Sequence, residues 1–180
     1  MLPFGQKIIE QDIVPIEVEY INFDDDIKKG ILEVHKEVKD EVVSIFKEIK
    51  DINFPIYQIF PIVIFNFSDK ESIIANNTSS FNFRFVAGSK KFSDHAIGLA
   101  IDINPKQNPW VHPSALNLFK YEVGVKGTIE VGSDIVAIFE KYGWSWGGYW
   151  KNPDYQHFYK GGEINNKIKS ELLEKIEKFT

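Results

Sequence analysis

The chain of 180 residues is 43% hydrophobic and 14% aromatic, enough for a packed core and unlike a disordered segment. Its net charge is −5, with acids and lysines interspersed, and no basic face points to nucleic acid. It has no cysteine, so a disulfide framework is excluded and any zinc site must use His and carboxylate.

No stretch reaches the ~18 apolar residues of a membrane span. The start, residues 1–6, lacks the basic-then-apolar pattern of a signal peptide. Residues 1–26 read as extended or irregular, with 14–20 alternating like a short edge strand. Asp24, Asp25 and Asp26 can cap the next element. There Ile31, Val34, Val38, Val42, Ile45 and Ile49 step by three or four, which predicts an amphipathic helix over about 27–50. Residues 56–67 are apolar and interrupted by Pro61, predicting one or two buried strand pieces. Residues 68–72 can open a helical turn, and 76–80 read as a polar loop. Residues 81–86 look extended and carry Arg84.

Residues 98–103 read as a strand with Leu99, Ile101 and Ile103 on one face. Gly98, Ala100 and Asp102 occupy the other, where small side chains leave room beside a carboxylate. Residues 105–113 read as a loop. Ser133 or Asp134 can cap a helix to about Tyr142, which Gly143 ends. Residues 144–153 form an aromatic, glycine-rich loop, and 155–159 a second strand with Tyr155, His157 and Tyr159 on one face. A last helix spans 163–179, with Ile164, Ile168, Leu172, Ile176 and Phe179 as its stripe. No repeat or linker divides the chain. The expectation is one α+β domain over 1–180: a small antiparallel sheet flanked by helices. Its motif-bearing part is about 54–160, and the strand and helix of 14–50 and the helix of 163–179 pack on it.

His95 and Asp102 lie in one short run, and His157 comes about fifty residues after Asp102. Two imidazoles and a carboxylate are a ligand set of the kind zinc hydrolases use, with the fourth position open. Asp154 stands three residues before His157, where a general base could sit. The seven-residue gap puts His95 and Asp102 on opposite faces of an unbroken strand, so convergence demands a turn, which Gly98 can supply. The spacing permits this and does not require it. Structural readings compete: His35 and His112 as core or surface residues, Asp154 as an N-cap, Arg84 in an ion pair, Ser93 in a turn bond. Arg84 is the one arginine among 21 basic residues, which suggests a place where the planar fork matters. Most of the aromatic run over 142–150 reads as core, with Trp146 or Trp150 the choice for a substrate wall if exposed.

The pattern Ser-x-His-x-x-Gly-x-Ala-x-Asp over 93–102, then Trp-Gly-Gly at 146–148, then Asp-x-x-His-Phe over 154–158, resembles the zinc D-alanyl-D-alanine carboxypeptidase and dipeptidase family. It also resembles that family's phage endolysin branch, the L-alanyl-D-glutamate peptidases, and the related hedgehog-type fold. The resemblance covers roughly 81–159. It implies Zn²⁺ held by His95, Asp102 and His157, with Asp154 as base. It further implies Arg84 on the scissile carbonyl and its oxyanion, and Ser93 at the substrate. Asp at the base position looks more like the endolysin branch. The implied activity is hydrolysis of a peptidoglycan stem peptide, at L-Ala–D-Glu or D-Ala–D-Ala. The alternatives are a zinc-stabilised module without catalysis and a peptidase with another substrate. A monomer acting outside the cell or at its envelope is expected, its export signal trimmed or unneeded after lysis.

Overall fold

The computed structural model describes residues 2–86 and 88–178. It opens with a helix, α1 (Leu2–Ile9), where an irregular segment is predicted. Strands β1 (Ile13–Ile21) and β2 (Ile27–His35) then form an antiparallel hairpin, in register from Ile13↔His35 to Ile21↔Ile27. The first half of the helix predicted over 27–50 is therefore a strand. Within β2 the buried positions Gly30, Leu32 and Val34 recur at period two, while the three-and-four spacing joined positions from two different elements. The aspartates close the hairpin instead of capping a helix. Asn22 Oδ1 accepts from the amides of Asp24 and Asp26 at 3.0 and 2.8 Å, and Asp25 takes the left-handed conformation at φ 64°, as turn Asx residues do.

The helix itself is α2 (Lys39–Asp51), which buries Val42, Ile45, Phe46 and Ile49 and packs on β1. Each of these four side chains contributes about 1.5–3 kcal/mol relative to exposure. Of the apolar run 56–67, only β3 (Gln58–Ile59) is strand. Ile62–Phe65 form a 3-10 turn, and Phe60, Val63, Ile64 and Phe67 face solvent. After α3 (Asp69–Ile74), capped by Ser68 Oγ on the Glu71 amide, β4 (Asn77–Thr78) pairs parallel with β3. The predicted polar loop over 76–80 is thus largely interior: Asn76, Asn77 and Thr78 are at most 1% exposed. Their side chains take the place of a longer ladder. Asn77 Nδ2 donates to Phe60 O at 3.0 Å, and Asn76 Oδ1 accepts from the Lys106 amide at 2.9 Å. Buried polar groups persist only when paired in this way.

The second half carries a three-stranded antiparallel sheet in the order β5 (Ala100–Asp102), β7 (His157–Tyr159), β6 (Ser145–Trp146). Before β6 runs α4 (Asp134–Lys141). It ends as predicted at Gly143, whose φ of 73° lets the Trp144 amide reach Phe139 O at 3.0 Å. The last helix, α5 (Gly162–Glu177), buries Ile168, Leu172 and Ile176 and packs on α1. Phe179 of the predicted stripe lies outside the described residues. The architecture is α+β with small sheets. One hydrophobic cluster runs from Ile9 to Ile176 and draws on the hairpin, the helices and the second sheet.

Candidate active site

One turn and one sheet rung assemble the candidate ligands. Ser93 opens a 3-10 turn over Asp94–Ile97, its Oγ accepting from the His95 amide at 3.3 Å. Gly98 closes that turn at φ 66°. A Cβ there would lie 2.5 Å from the His35 amide nitrogen and 3.0 Å from Val34 C, so a side chain meets β2 backbone as well as an unfavourable φ. The turn brings His95 back over the open face of β5. The β5–β7 register then sets Asp102 opposite His157.

His95 Nε2 lies 3.2 Å from Asp102 Oδ2 and 3.2 Å from His157 Nδ1, and His157 Nδ1 lies 2.9 Å from Asp102 Oδ1. All three residues are buried, at 2–7% exposure. His95 Nδ1 stands 2.6 Å from Ser80 O. A carbonyl only accepts, so that nitrogen carries the proton, and the neutral ring turns its Nε2 lone pair toward Asp102. Either a proton on Nε2 or a cation between the two groups satisfies that pair. Titration follows the same logic. Burial alone would depress the His95 imidazole, but the Asp102 carboxylate outweighs it and holds the pKa above its ordinary value. Burial alone would raise Asp102, but the His95 and His157 imidazoles outweigh it and hold the carboxyl well below the usual range. Two nitrogens and one carboxylate oxygen, with a carbonyl fixing one ring, fit Zn²⁺ and leave a coordination position open.

The cluster stands in a cleft of about 390 Å³ that Asp154, Arg84, Ser93, Trp150 and Gln156 also line. Asp154 is half-buried, and its Oδ1 is enclosed with no hydrogen-bond partner among the described residues. Burial and the nearby Asp102 charge push its carboxyl up to about 7. Its main chain is held from both sides: Asp154 N donates to Gly147 O at 3.0 Å and Val111 N to Pro153 O at 2.7 Å. A Cβ on Gly147 would come within 2.8 Å of Asp154 O, which gives the first glycine of the Trp-Gly-Gly segment a physical reason. Arg84 lines the same cleft, its Nε 3.3 Å from Asp69 Oδ1 but out of line for a hydrogen bond. Asp69 also lines the cleft, so the ion pair and the cleft position coexist.

Trp146 does not form a substrate wall. It is 1% exposed, its indole N–H donates to Tyr155 O at 2.8 Å, and its ring lies against Phe158. Position in β6 turns it into the core. Trp150 is 41% exposed and its ring centroid is 5.4 Å from that of His157. Ser93 is 5% exposed and its hydroxyl serves the turn. His35 is buried, with Nδ1 accepting from the Glu37 amide, and His112 stacks on Trp110 at 4.5 Å. Neither joins the cluster. Sequence reasoning missed Gln156, which no periodicity marks. It also missed the apolar wall from the loop after β5, including Trp110, Leu118 and Phe119, whose spacing matches neither helix nor strand.

The buried His-Asp-His cluster could hold a metal ion, and it stands beside an enclosed carboxylate. A family model described as D-alanyl-D-alanine carboxypeptidase matches residues 87–160. That stretch contains His95, Asp102, Asp154 and His157 and leaves out Arg84, and with the cluster it supports a peptidase of that family. No curated protein matches the chain, and no solved structure does.

Proposed function

We propose that this chain is a zinc-dependent peptidase that hydrolyses peptidoglycan stem peptides, cutting L-Ala–D-Glu or D-Ala–D-Ala. The observation that carries the reading is the convergence of His95, Asp102 and His157 beside an enclosed Asp154, with Arg84 in the same cleft. Bound Zn²⁺ would supply an acidified water, with a pKa near ~7, and polarise the scissile carbonyl. The remaining work falls to side chains. Asp154, enclosed beside the cluster, takes a proton from the attacking water at its carboxylate and returns it to the leaving amine nitrogen. Arg84 directs its planar fork at the carbonyl oxygen as negative charge develops there. Ser80 O holds the His95 ring in one tautomer. Trp150 and the apolar loop shield the reacting bond from bulk water.

Asp at the base position favours the L-Ala–D-Glu bond, while the matched family's description names the other. Such a substrate places the protein at the cell envelope or outside it, working as a monomer. Among the described residues no helix is long and apolar enough to cross a membrane. The deciding experiment digests purified peptidoglycan with zinc-loaded protein and identifies new termini by mass spectrometry. New D-Glu N-termini or released D-Ala support the reading and name the bond. No new termini from fully loaded protein refute it. Cleavage of unrelated peptides alone points to a different substrate, and zinc binding without any cleavage to a non-catalytic module.

A further inference from the structure

Gln156 stands at the entry to β7, one residue before His157. Its main chain is locked to the sheet, since Ile103 N donates to Gln156 O at 3.0 Å. The residue is only 6% exposed, yet it lines the cleft. Its Oε1 is buried and meets no donor among the described residues. Its amide nitrogen lies toward the Asp154 carboxylate and lowers that group's pKa, the orientation that leaves Oε1 as the unpaired end. A buried carbonyl oxygen left unpaired is unfavourable, so a donor entering the cleft that Gln156 lines is favoured there.

The other polar groups of the cleft narrow that donor. An extended peptide brings a carbonyl oxygen and an N–H at each residue. Arg84 and the cation site suit the oxygens. The Trp110, Leu118 and Phe119 side chains of the facing wall are apolar and accept no hydrogen bond, and Gln156 Oε1 is the cleft's enclosed, unpaired amide oxygen. Building on the peptidase reading, we propose that Gln156 is a substrate-binding residue whose Oε1 accepts a hydrogen bond from one backbone N–H of the peptide next to the scissile bond. The cleft then selects a substrate with a free amide N–H at that one position.

The test is an ester scan. The probes are L-Ala-γ-D-Glu-L-Lys-D-Ala-D-Ala and analogues with one non-scissile amide at a time replaced by an ester, which removes one N–H and keeps the shape. Zinc-loaded wild type and Gln156→Met are compared by kcat/KM. One ester position is expected to lower the wild-type value about tenfold. Gln156→Met should lose a similar factor on the all-amide peptide, mainly through KM, and lose nothing further on that ester. Its zinc stoichiometry should match wild type, and its Tm should not fall. Gln156→Glu keeps an acceptor in place and should retain the sensitivity at the same position. It serves alone should Gln156→Met fail to fold. Losses equal at every position, or only a shifted acid limb of the pH profile, overturn the proposal and leave Gln156 acting through Asp154. Wild-type cleavage with no ester-sensitive position also overturns it. Wild type that cleaves none of the peptides refutes the peptidase reading, and this inference with it.

Discussion

Asp154→Asn keeps the side-chain shape and removes the ability to take a proton. If Asp154 is the base, turnover should fall by ~10²-fold or more while zinc stays bound. The same substitution should stabilise the metal-free protein, and the sign can be worked out. The folded carboxyl titrates at about 7 against an ordinary 3.8, raised by burial and then by Asp102. Between those values the folded state holds a proton that the unfolded chain releases, so stability falls as pH rises through the window and the full penalty stands above about 7. At ~1.4 kcal/mol per pH unit the separation sets a ceiling of roughly 4 kcal/mol. Asp154 is only half-buried and shares its site with Asp102, so about 1–2 kcal/mol is the expected penalty. Asn carries none of it. Urea melts with chelator at pH 4, 6 and 8 should show the variant more stable than wild type at pH 8, with the gain gone by pH 4. A gain that does not change with pH, or a loss at pH 8, refutes the electrostatic reasoning. Undiminished turnover with full zinc refutes the role.

His157→Ala should abolish stoichiometric zinc measured by metal analysis; one zinc bound with unchanged affinity overturns the ligand assignment. In wild type, zinc at a thousandfold excess over Kd should add about 4 kcal/mol of stability, lost on chelation and absent from that variant. Gly98→Ala should cost roughly 2 kcal/mol or more in denaturant melts, since strained φ and a clash with β2 backbone combine. A neutral result would show that the turn relaxes. Arg84→Lys keeps the charge and loses the fork, so kcat should drop about tenfold or more with zinc and folding intact. A wild-type kcat/KM on a cell-wall peptide leaves Arg84 as the partner of Asp69 alone.

Elements whose periodicity stays within one element were legible. Helices α4 and α5 are close to their predicted extents, and the strand faces around Asp102 and His157 follow from alternation. The stretch 27–50 was not, because Val34 and Val38 keep helical spacing across the junction of β2 and α2. Period two in Gly30, Leu32 and Val34 was the signal that competed and lost. Residues 76–80 look like a surface loop because Asn and Thr are polar, yet here their side chains satisfy buried main chain. Polarity alone does not reveal such pairing. The demand for a turn between His95 and Asp102 was readable from the seven-residue gap, and Gly98 meets it. Trp146 and Trp150 could not be told apart in sequence. A two-residue strand decides which one is buried, and elements so short leave no periodic trace.

The stretch that matches the family does not complete its own site. Ser80, outside it, supplies the carbonyl that fixes the His95 ring. Glu33 O accepts from the Phe81 amide at 3.0 Å, and His35 N donates to Gly98 O at 3.0 Å, so β2 braces both sides of the turn that carries His95. On the far side α5 reaches the same turn. Asn165 Nδ2 and Lys169 Nζ lie 2.8 and 2.5 Å from Asp94 Oδ1, next to His95 in the chain. Burial would raise the Asp94 carboxyl, but Lys169 and Asn165 outweigh it and keep it ionised. Arg84 and its neighbour Asp69 come from outside as well. The residues that can hold a cation and move a proton therefore sit in the matched stretch, while their orientation depends on the hairpin and the last helix. Preorganisation of that kind is what an open metal site needs, since the ligands must hold their places whether a proton or a cation lies between them.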